Sequence, residues 1–94
     1  MIVSFADKET EKVFNQEFSK KLPPNIQKIG LRKLIMIDAA ANLNDLRTPP
    51  SNHLEKLYGD RFGQYSIAIN LQFRVCFEIQ RPNYFYEVEI TDYH

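Results

Sequence analysis

The chain has 94 residues and carries 12 basic and 12 acidic side chains, so its formal net charge is zero. This balance disfavours indiscriminate binding to nucleic acid, which normally needs a basic surplus. The length suits a single domain, and we expect residues 1–94 to form one core. No apolar run is long enough to span a membrane, and the single cysteine, Cys76, cannot form an internal disulfide. These features predict a cytoplasmic protein with no membrane partner, and one cysteine with two histidines predicts no metal site.

The first half of the chain predicts a short strand followed by two helices. Residues 2–5 have strand character, and Asp7 is a suitable N-cap for a helix from Lys8 to about Phe18. A second helix is predicted to begin at Pro24, because proline is favoured at the first helical position. Its apolar residues recur on one face as far as about Leu43.

The second half has the alternating pattern of strands. A connector over residues 42–52 contains Pro49-Pro50, which disfavours regular structure, and a short strand follows near Leu54 to Tyr58. Apolar and polar residues then alternate over residues 65–71, 73–79 and 84–90, with short turns between them. The sequence therefore predicts an α+β fold, with two N-terminal helices packed on one face of a twisted, mainly antiparallel sheet of four to five strands.

Alternation also places one arginine on the sheet. If Phe73, Val75, Phe77 and Ile79 face the helices, Arg74 projects from the opposite face, where a fixed guanidinium suits a phosphate. Alternatively, Arg74 pairs with an acidic neighbour and only stabilises the sheet; Glu78, Glu87 and Glu89 are the candidates. Cys76 shares this face and is interpreted as a packing residue, not a nucleophile.

The last residues, Asp92-Tyr93-His94, combine a carboxylate, a phenol and an imidazole directly after the predicted final strand. Such side chains suit proton transfer and phosphate contact near neutral pH. Asp92 and the terminal carboxylate should favour the imidazolium form of His94. We expect this end to lie within reach of Arg74; the alternative is a strand that frays into a polar tail.

The segment Gly59-Asp60-Arg61-Phe62-Gly63-Gln64-Tyr65-Ser66-Ile67, the run Asn70–Arg74 and the final Asp92-Tyr93-His94 together resemble the HigB-type toxins of the RelE/ParE superfamily, also called plasmid maintenance killer proteins. The opening Met-Ile-x-Ser-Phe and residues 32–40 are similar to the same family. The resemblance implies a RelE-like, microbial-ribonuclease-like fold. It also implies inhibition of translation by ribosome-dependent cleavage of mRNA, without a metal or other cofactor. The implied partners are the ribosome, mRNA and a cognate helix-turn-helix antitoxin of HigA type, through which alone operator DNA would be contacted.

The resemblance also assigns site residues by position. Arg74 matches the family's sheet arginine, and the terminal active-site residues are matched by Asp92, Tyr93 and His94. Two positions depart from the better-known ribonucleases of the group: Glu55 stands where they have a histidine, and Tyr58 where lysine is common. These departures bear on cleavage rate and substrate preference.

A mechanism without a metal needs a base, an acid and a cation around the scissile phosphate. Arg74 is the predicted charge stabiliser, Glu55 the predicted base and His94 the predicted acid. Tyr93 would stack on an unstacked base or bond a phosphate. Secondary contacts with RNA or phosphate are assigned to His53, Lys56 and Arg61, although alternation gives no assurance that the first two face the site.

The sequence is also compatible with two other functions. The chain would act as a non-nucleolytic toxin if it inhibited a protein target or ribosome assembly by binding, and neutral net charge favours this reading. It would be a degenerate module if its only remaining function were to bind an antitoxin. Lys28 and Arg32, together with the first helix, are candidate docking groups for an acidic antitoxin, and the sheet is the other candidate surface.

Overall fold

The computed structural model describes residues 1–92 and contains two helices and four strands. The helices are α1 (Lys8–Phe14) and α2 (Pro24–Ala39), and three short 3₁₀ turns cover Leu43–Arg47, Pro50–Asn52 and Gly59–Arg61. The strands are β1 (Glu55–Lys56), β2 (Tyr65–Ala68), β3 (Phe73–Arg81) and β4 (Tyr84–Asp92). They form one antiparallel sheet in the order β1-β2-β3-β4, which confirms the predicted α+β class and meander.

Helix α1 begins as predicted but ends earlier than expected. The Asp7 carboxylate accepts a hydrogen bond of 2.7 Å from the Thr10 amide and caps the helix. The prediction that the helix reaches Phe18 is wrong, because Gln16 adopts a left-handed conformation (φ 63°) and the Glu17 amide bonds back to Lys12. This closure is a common helix ending. It leaves Phe18 64% exposed instead of in the core.

Helix α2 begins at Pro24 as predicted and ends at Ala39, so the predicted end at about Leu43 is also wrong. Side chains just beyond the helix compete for the backbone. The Asn42 amide oxygen accepts from the Asp45 amide (3.1 Å), and the Asp45 carboxylate accepts from the Ala41 amide (2.8 Å). Such local bonds favour turns over helix. They start the first of two 3₁₀ turns in a connector for which irregular structure was predicted.

Strand β2 ends at Ala68, so its predicted extension to residue 71 is wrong. The Asn70 side-chain oxygen accepts from the amides of Gln72 (2.8 Å) and Phe73 (2.7 Å), which closes a turn between β2 and β3. Leu71 lies at the tip of this turn and is fully exposed.

Strand β4 contains a bulge, so the side chains before the bulge face the opposite side of the sheet from the one that regular alternation predicts. Cys76 pairs with Glu89 while Glu78 pairs with Tyr86, so one extra residue of β4 is accommodated where Glu87 is left-handed (φ 53°). Phe85 is therefore fully buried, although regular alternation with Val88 and Ile90 would have turned it to the opposite face. Beyond the bulge, Val88 and Ile90 are buried.

The N-terminal segment runs parallel to β4. Ile2 bridges Phe85 and Phe5 bridges Val88, so the predicted first strand is reduced to two isolated bridges. The segment still covers the outer edge of β4, because amides of Val3 and Ala6 donate to carbonyls of that strand.

The core lies between the helices and one face of the sheet. Its fully buried members include Leu34 and Ile37 of α2 together with Val75, Phe77 and Phe85 of the sheet. Helix α1 is also tied to the sheet, since buried Thr10 accepts a hydrogen bond of 2.9 Å from the Ile90 amide through its hydroxyl. Within residues 1–92, neither helix has the length and apolar character needed to cross a membrane.

Candidate functional site

The sheet face opposite the helices, here called the outer face, carries two rows of cross-strand neighbours. Because Val75 lies in the core, alternation directs Arg74 and Cys76 to the outer face, as predicted. The register aligns Cys76 with Ser66 on β2 and with Glu89 on β4, and Ser66 in turn pairs with Glu55 on β1. The next row aligns Arg74 with Ala68 and Thr91.

The middle of the outer face is buried, which alternation alone did not predict. Ser66 and Cys76 are fully buried, and the side chain of Arg74 is 13% exposed. Arg74 donates from Nε to Ser66 Oγ (2.6 Å) and from Nη2 to the His53 carbonyl (2.5 Å). Its nearest carboxylate in the described ion pairs is Glu55, at 3.9 Å.

The loop between β1 and β2 brings a second arginine to the outer face. Gly59 (φ 65°) and Gly63 (φ 95°) adopt left-handed conformations that other residues rarely take, and they let the loop turn at these two points. Between them, Arg61 donates from Nη1 to Glu89 (3.1 Å) and to Gln64 (3.0 Å). Glu89, considered above as a partner of Arg74, therefore binds Arg61.

Cys76 lies in the row between Ser66 and Glu89 and is electrostatically a poor nucleophile. Burial raises the pKa of its thiol, Arg61 and Arg74 oppose that rise, and Glu89 reinforces it. Since a thiolate is the reactive form, this supports the interpretation of Cys76 as a packing residue. Among residues 1–92, no group of three or more His, Cys, Asp or Glu side chains could hold a metal ion.

The structure brings some predicted residues to Arg74 and separates others from it. Glu55 is 55% exposed and lies beside the guanidinium. His53 reaches Arg74 through its backbone carbonyl, whereas its side chain is exposed. Lys56 pairs with Tyr65 and projects from the other side of β1, away from Glu55.

The end of β4 lies next to Arg74 in the sheet. Thr91 pairs with Arg74, and Asp92 pairs with Phe73. The Asp92 carboxylate accepts a hydrogen bond of 2.8 Å from Gln72 Nε2. The predicted site residues Tyr93 and His94 lie outside the described residues.

Three polar residues around the two arginines were not assigned to the site from sequence: Ser66, Gln64 and Glu89. The sequence could have assigned Ser66 to the site. It is a small polar residue between apolar neighbours, in the strand that precedes the one carrying Arg74. In a hairpin, positions equidistant from the turn share a face. Arg61 and Gln64 meet only through the conformation of their loop, which the sequence does not encode by periodicity.

Residues 3–94 match the family described as RelE-like toxin of type II toxin-antitoxin system HigB. The chain belongs to this family of HigB-like toxins. It is 38% identical over 79 residues to Toxin HigB-1 of Vibrio cholerae, and the alignment covers 83% of each protein. It is also 47% identical over 60 residues to an uncharacterized protein of Haemophilus influenzae, an alignment that spans 64% of this chain and 59% of that protein.

Family membership confirms the resemblance drawn from the Gly-Asp-Arg segment and the final Asp-Tyr-His. This HigB-like protein is a toxin of a type II toxin–antitoxin system, so its family implies an antitoxin partner.

Proposed function

We propose that this HigB-like toxin is a ribosome-dependent mRNA endonuclease that inhibits translation. The observation that carries the proposal is the arrangement of Arg74. Its guanidinium is fixed by neutral oxygens, lies 3.9 Å from the Glu55 carboxylate, and is paired through its backbone with Thr91 next to Asp92. A fixed cation beside a carboxylate supplies two of the three groups that the reaction needs, the charge stabiliser and the base.

The proposed reaction is attack of a ribose 2′-hydroxyl on the adjacent phosphate. Glu55 accepts the hydroxyl proton as the new oxygen–phosphorus bond forms, and Arg74 stabilises the additional negative charge on the phosphate. The bond to the 5′-oxygen then breaks, and His94 donates the proton that this leaving oxygen requires. The roles of His94 and Tyr93 rest on their positions in the family pattern, with Tyr93 stacking on a base or bonding a phosphate.

Of the two carboxylates at the ends of the Ser66–Cys76 row, Glu55 is better suited than Glu89 to serve as the base. Glu55 and Glu89 lie on the outermost strands of the same row, so their backbones are about 14 Å apart at the usual strand spacing. Glu89 is bound to Arg61, whereas Glu55 is 55% exposed and lies next to Arg74. These differences favour Glu55 as the base and Arg61 as a secondary phosphate contact.

The proposed partners follow from the charge distribution. With zero net charge and Arg61 bound to Glu89, the outer face holds little excess positive charge to capture free RNA, so the ribosome would present the message. His53 and Lys56 would add peripheral contacts with RNA. A helix-turn-helix antitoxin of HigA type would neutralise the toxin and connect it to operator DNA. Exposed Lys28 and Arg32 on α2 suit an acidic antitoxin segment, with the outer face as the alternative surface.

The test is to map new 5′ ends in cellular mRNA shortly after the toxin is induced. Cuts at recurring codon positions in translated messages are expected, and they should disappear when initiation of translation is blocked. Growth arrest with intact messages would instead support the non-nucleolytic alternative, which the zero net charge favours.

Purified variants then test the assigned residues on programmed ribosomes. Arg74→Ala should lower the cleavage rate by about 10²-fold or more, since it removes the proposed charge stabiliser. Arg47→Ala is the matched control, because Arg47 is exposed in a 3₁₀ turn and bonds only Asn44 among the hydrogen bonds of the described residues. His94→Ala should abolish growth arrest and leave the thermal unfolding transition unchanged. Retained toxicity would remove His94 from the mechanism.

A further inference from the structure

Arg74 is oriented by oxygens that carry no net charge. Its Nε bonds Ser66 Oγ at 2.6 Å, and its Nη2 bonds the His53 carbonyl at 2.5 Å, with a longer contact of 3.4 Å to the Ser66 carbonyl. A guanidinium is a planar fork of N–H donors, so fixing two of its nitrogens fixes the plane and the direction of the remaining donors.

Neutral acceptors hold this plane without cancelling the positive charge. The Glu55 carboxylate is 3.9 Å from Nη2, which is beyond hydrogen-bonding distance, and its side chain is 55% exposed. Arg61 is held differently, because its Nη1 bonds the Glu89 carboxylate at 3.1 Å. Arg74 is therefore the outer-face arginine whose hydrogen bonds in the described structure go to neutral oxygens, with Glu55 as a looser ion-pair partner.

Ser66 is placed so that its hydroxyl can orient the Arg74 guanidinium. It is fully buried on β2, one strand away from Arg74, between Glu55 and Cys76 in its cross-strand row. A buried polar side chain in a sheet costs stability unless it is hydrogen-bonded, and here its partner is the arginine. Alanine at this position would fill most of the same space and remove the acceptor.

We infer that Ser66 is a positioning residue for the toxin's cleavage reaction, acting through the direction in which Arg74 presents its guanidinium to the phosphate. This inference rests on the proposed ribonuclease function. The His53 carbonyl supplies the second fixed point. Fully buried Asn52 keeps that carbonyl in place, because it immediately precedes His53, donates to the Leu46 carbonyl (3.0 Å) and accepts from Lys33 (2.6 Å).

The test measures kcat and KM for Ser66→Ala on programmed ribosomes, at a temperature well below the unfolding transition. We expect kcat to fall by about tenfold or more while KM changes by less than about twofold, because misdirected donors weaken the transition state more than binding. Ser66→Thr keeps the hydroxyl and should recover most of the rate.

The matched control is Ser19→Ala. Ser19 is also fully buried, and its hydroxyl donates to the Glu9 carboxylate at 2.7 Å, far along the chain from the outer face. This variant should lose stability and keep its kcat. A comparable fall in kcat for both alanine variants would mean that Ser66 acts only through folding and would overturn the inference.

A double-mutant cycle with Arg74→Lys tests whether Ser66 acts through Arg74 or independently of it. Lysine keeps the charge but lacks the Nε donor that Ser66 orients, so Ser66→Ala should cost less than about twofold in this background. A full tenfold loss in the Arg74→Lys background, or an unchanged kcat for Ser66→Ala alone, would overturn the inference and leave the proposed function standing. If the unmodified toxin cut no message on ribosomes, both would fall.

Discussion

His53 illustrates how a residue can belong to a site through its backbone. It adopts a left-handed conformation (φ 45°, ψ 57°) after the 3₁₀ turn Pro50–Asn52, and its amide bonds the Pro50 carbonyl at 3.1 Å. This conformation turns the His53 carbonyl towards Arg74 while the imidazole remains exposed. From sequence, the histidine attracted attention because of its side chain, whereas its conformation places the carbonyl at the site.

The two possible roles of His53 predict opposite results for His53→Gly. Glycine adopts the left-handed conformation more readily, so the turn and its carbonyl should be kept and stability should change by less than about 1 kcal/mol. Because the imidazole is assigned only a peripheral contact with RNA, cleavage on programmed ribosomes should then fall only slightly. A loss comparable to that of Arg74→Ala would show that the imidazole takes part in the reaction itself.

Cys76 should give the folded protein a distinct alkaline pH dependence. Burial raises the pKa of its thiol above the ordinary value of 9.0, so the unfolded chain releases this proton before the folded chain does. The stability associated with Cys76 is therefore complete below pH 9.0 and falls as the pH rises from there towards the pKa in the folded state.

Urea unfolding of the toxin and of Cys76→Ala between about pH 7 and about pH 10 would measure this effect. The difference in free energy of unfolding between the two proteins should stay constant at first. At higher pH the unmodified protein should lose stability relative to Cys76→Ala, by up to about 1.4 kcal/mol per pH unit. Parallel curves over the whole pH range would contradict a raised pKa of the Cys76 thiol in the folded protein.

At the scale of elements, side-chain hydrogen bonds account for most departures from the predicted boundaries. Both helices begin where a cap or proline indicated, because those signals act over a few residues. Their ends, and the end of β2, depend on competing turns made by Gln16, Asn42 and Asn70. Apolar periodicity continued past each of these points and therefore predicted elements that were too long.

The bulge in β4 is a second feature that apolar periodicity did not predict. Residues 84–87 read Tyr-Phe-Tyr-Glu, and nothing in them indicates that the strand accommodates an extra residue at Glu87. The bulge lets Phe85 and Val88 both enter the core and returns Glu89 to the outer face. The face of Arg74 was predictable because β3 alternates regularly from Phe73 to Cys76, whereas the Arg61–Glu89 pair required the bulge and the loop.

Thr10 couples α1 to the part of β4 that leads to Asp92. It is fully buried, and its hydroxyl accepts from the Ile90 amide at 2.9 Å. Thr10→Val keeps the shape but leaves that buried amide without an acceptor, so we expect a loss of about 1–3 kcal/mol in the free energy of unfolding. Thr10→Ser retains the hydroxyl and should lose less. Hydrogen exchange at Ile90 should accelerate in the valine variant, and unchanged exchange would show that the amide finds another partner.

At the scale of the whole molecule, the proposed function and the charge balance together predict weak binding of free RNA. Acids and bases are equal in number, and within residues 1–92 the arginines held at the outer face are Arg61 and Arg74. Binding of a short single-stranded RNA to the isolated toxin should therefore be weak. It should depend on salt with a log–log slope of about −1.4, as expected for two phosphate contacts.

Fluorescence anisotropy over a range of salt concentrations would measure the slope. Arg61→Gln should make it shallower by about 0.7, whereas Arg47→Gln should leave it unchanged. A slope steeper than about −3 would indicate a broader basic surface than the outer face provides.

The N-terminal residues and β4 are neighbours in space although they are separated by most of the chain. The bridges Ile2–Phe85 and Phe5–Val88 join them, and Thr10 adds a further contact with Ile90. During synthesis these early residues have no permanent partner until the final strand has left the exit tunnel, because contacts of such long sequence separation form only after both segments exist. A polypeptide that stopped before residue 84 would therefore leave residues 2–6 without the strand that they pair with.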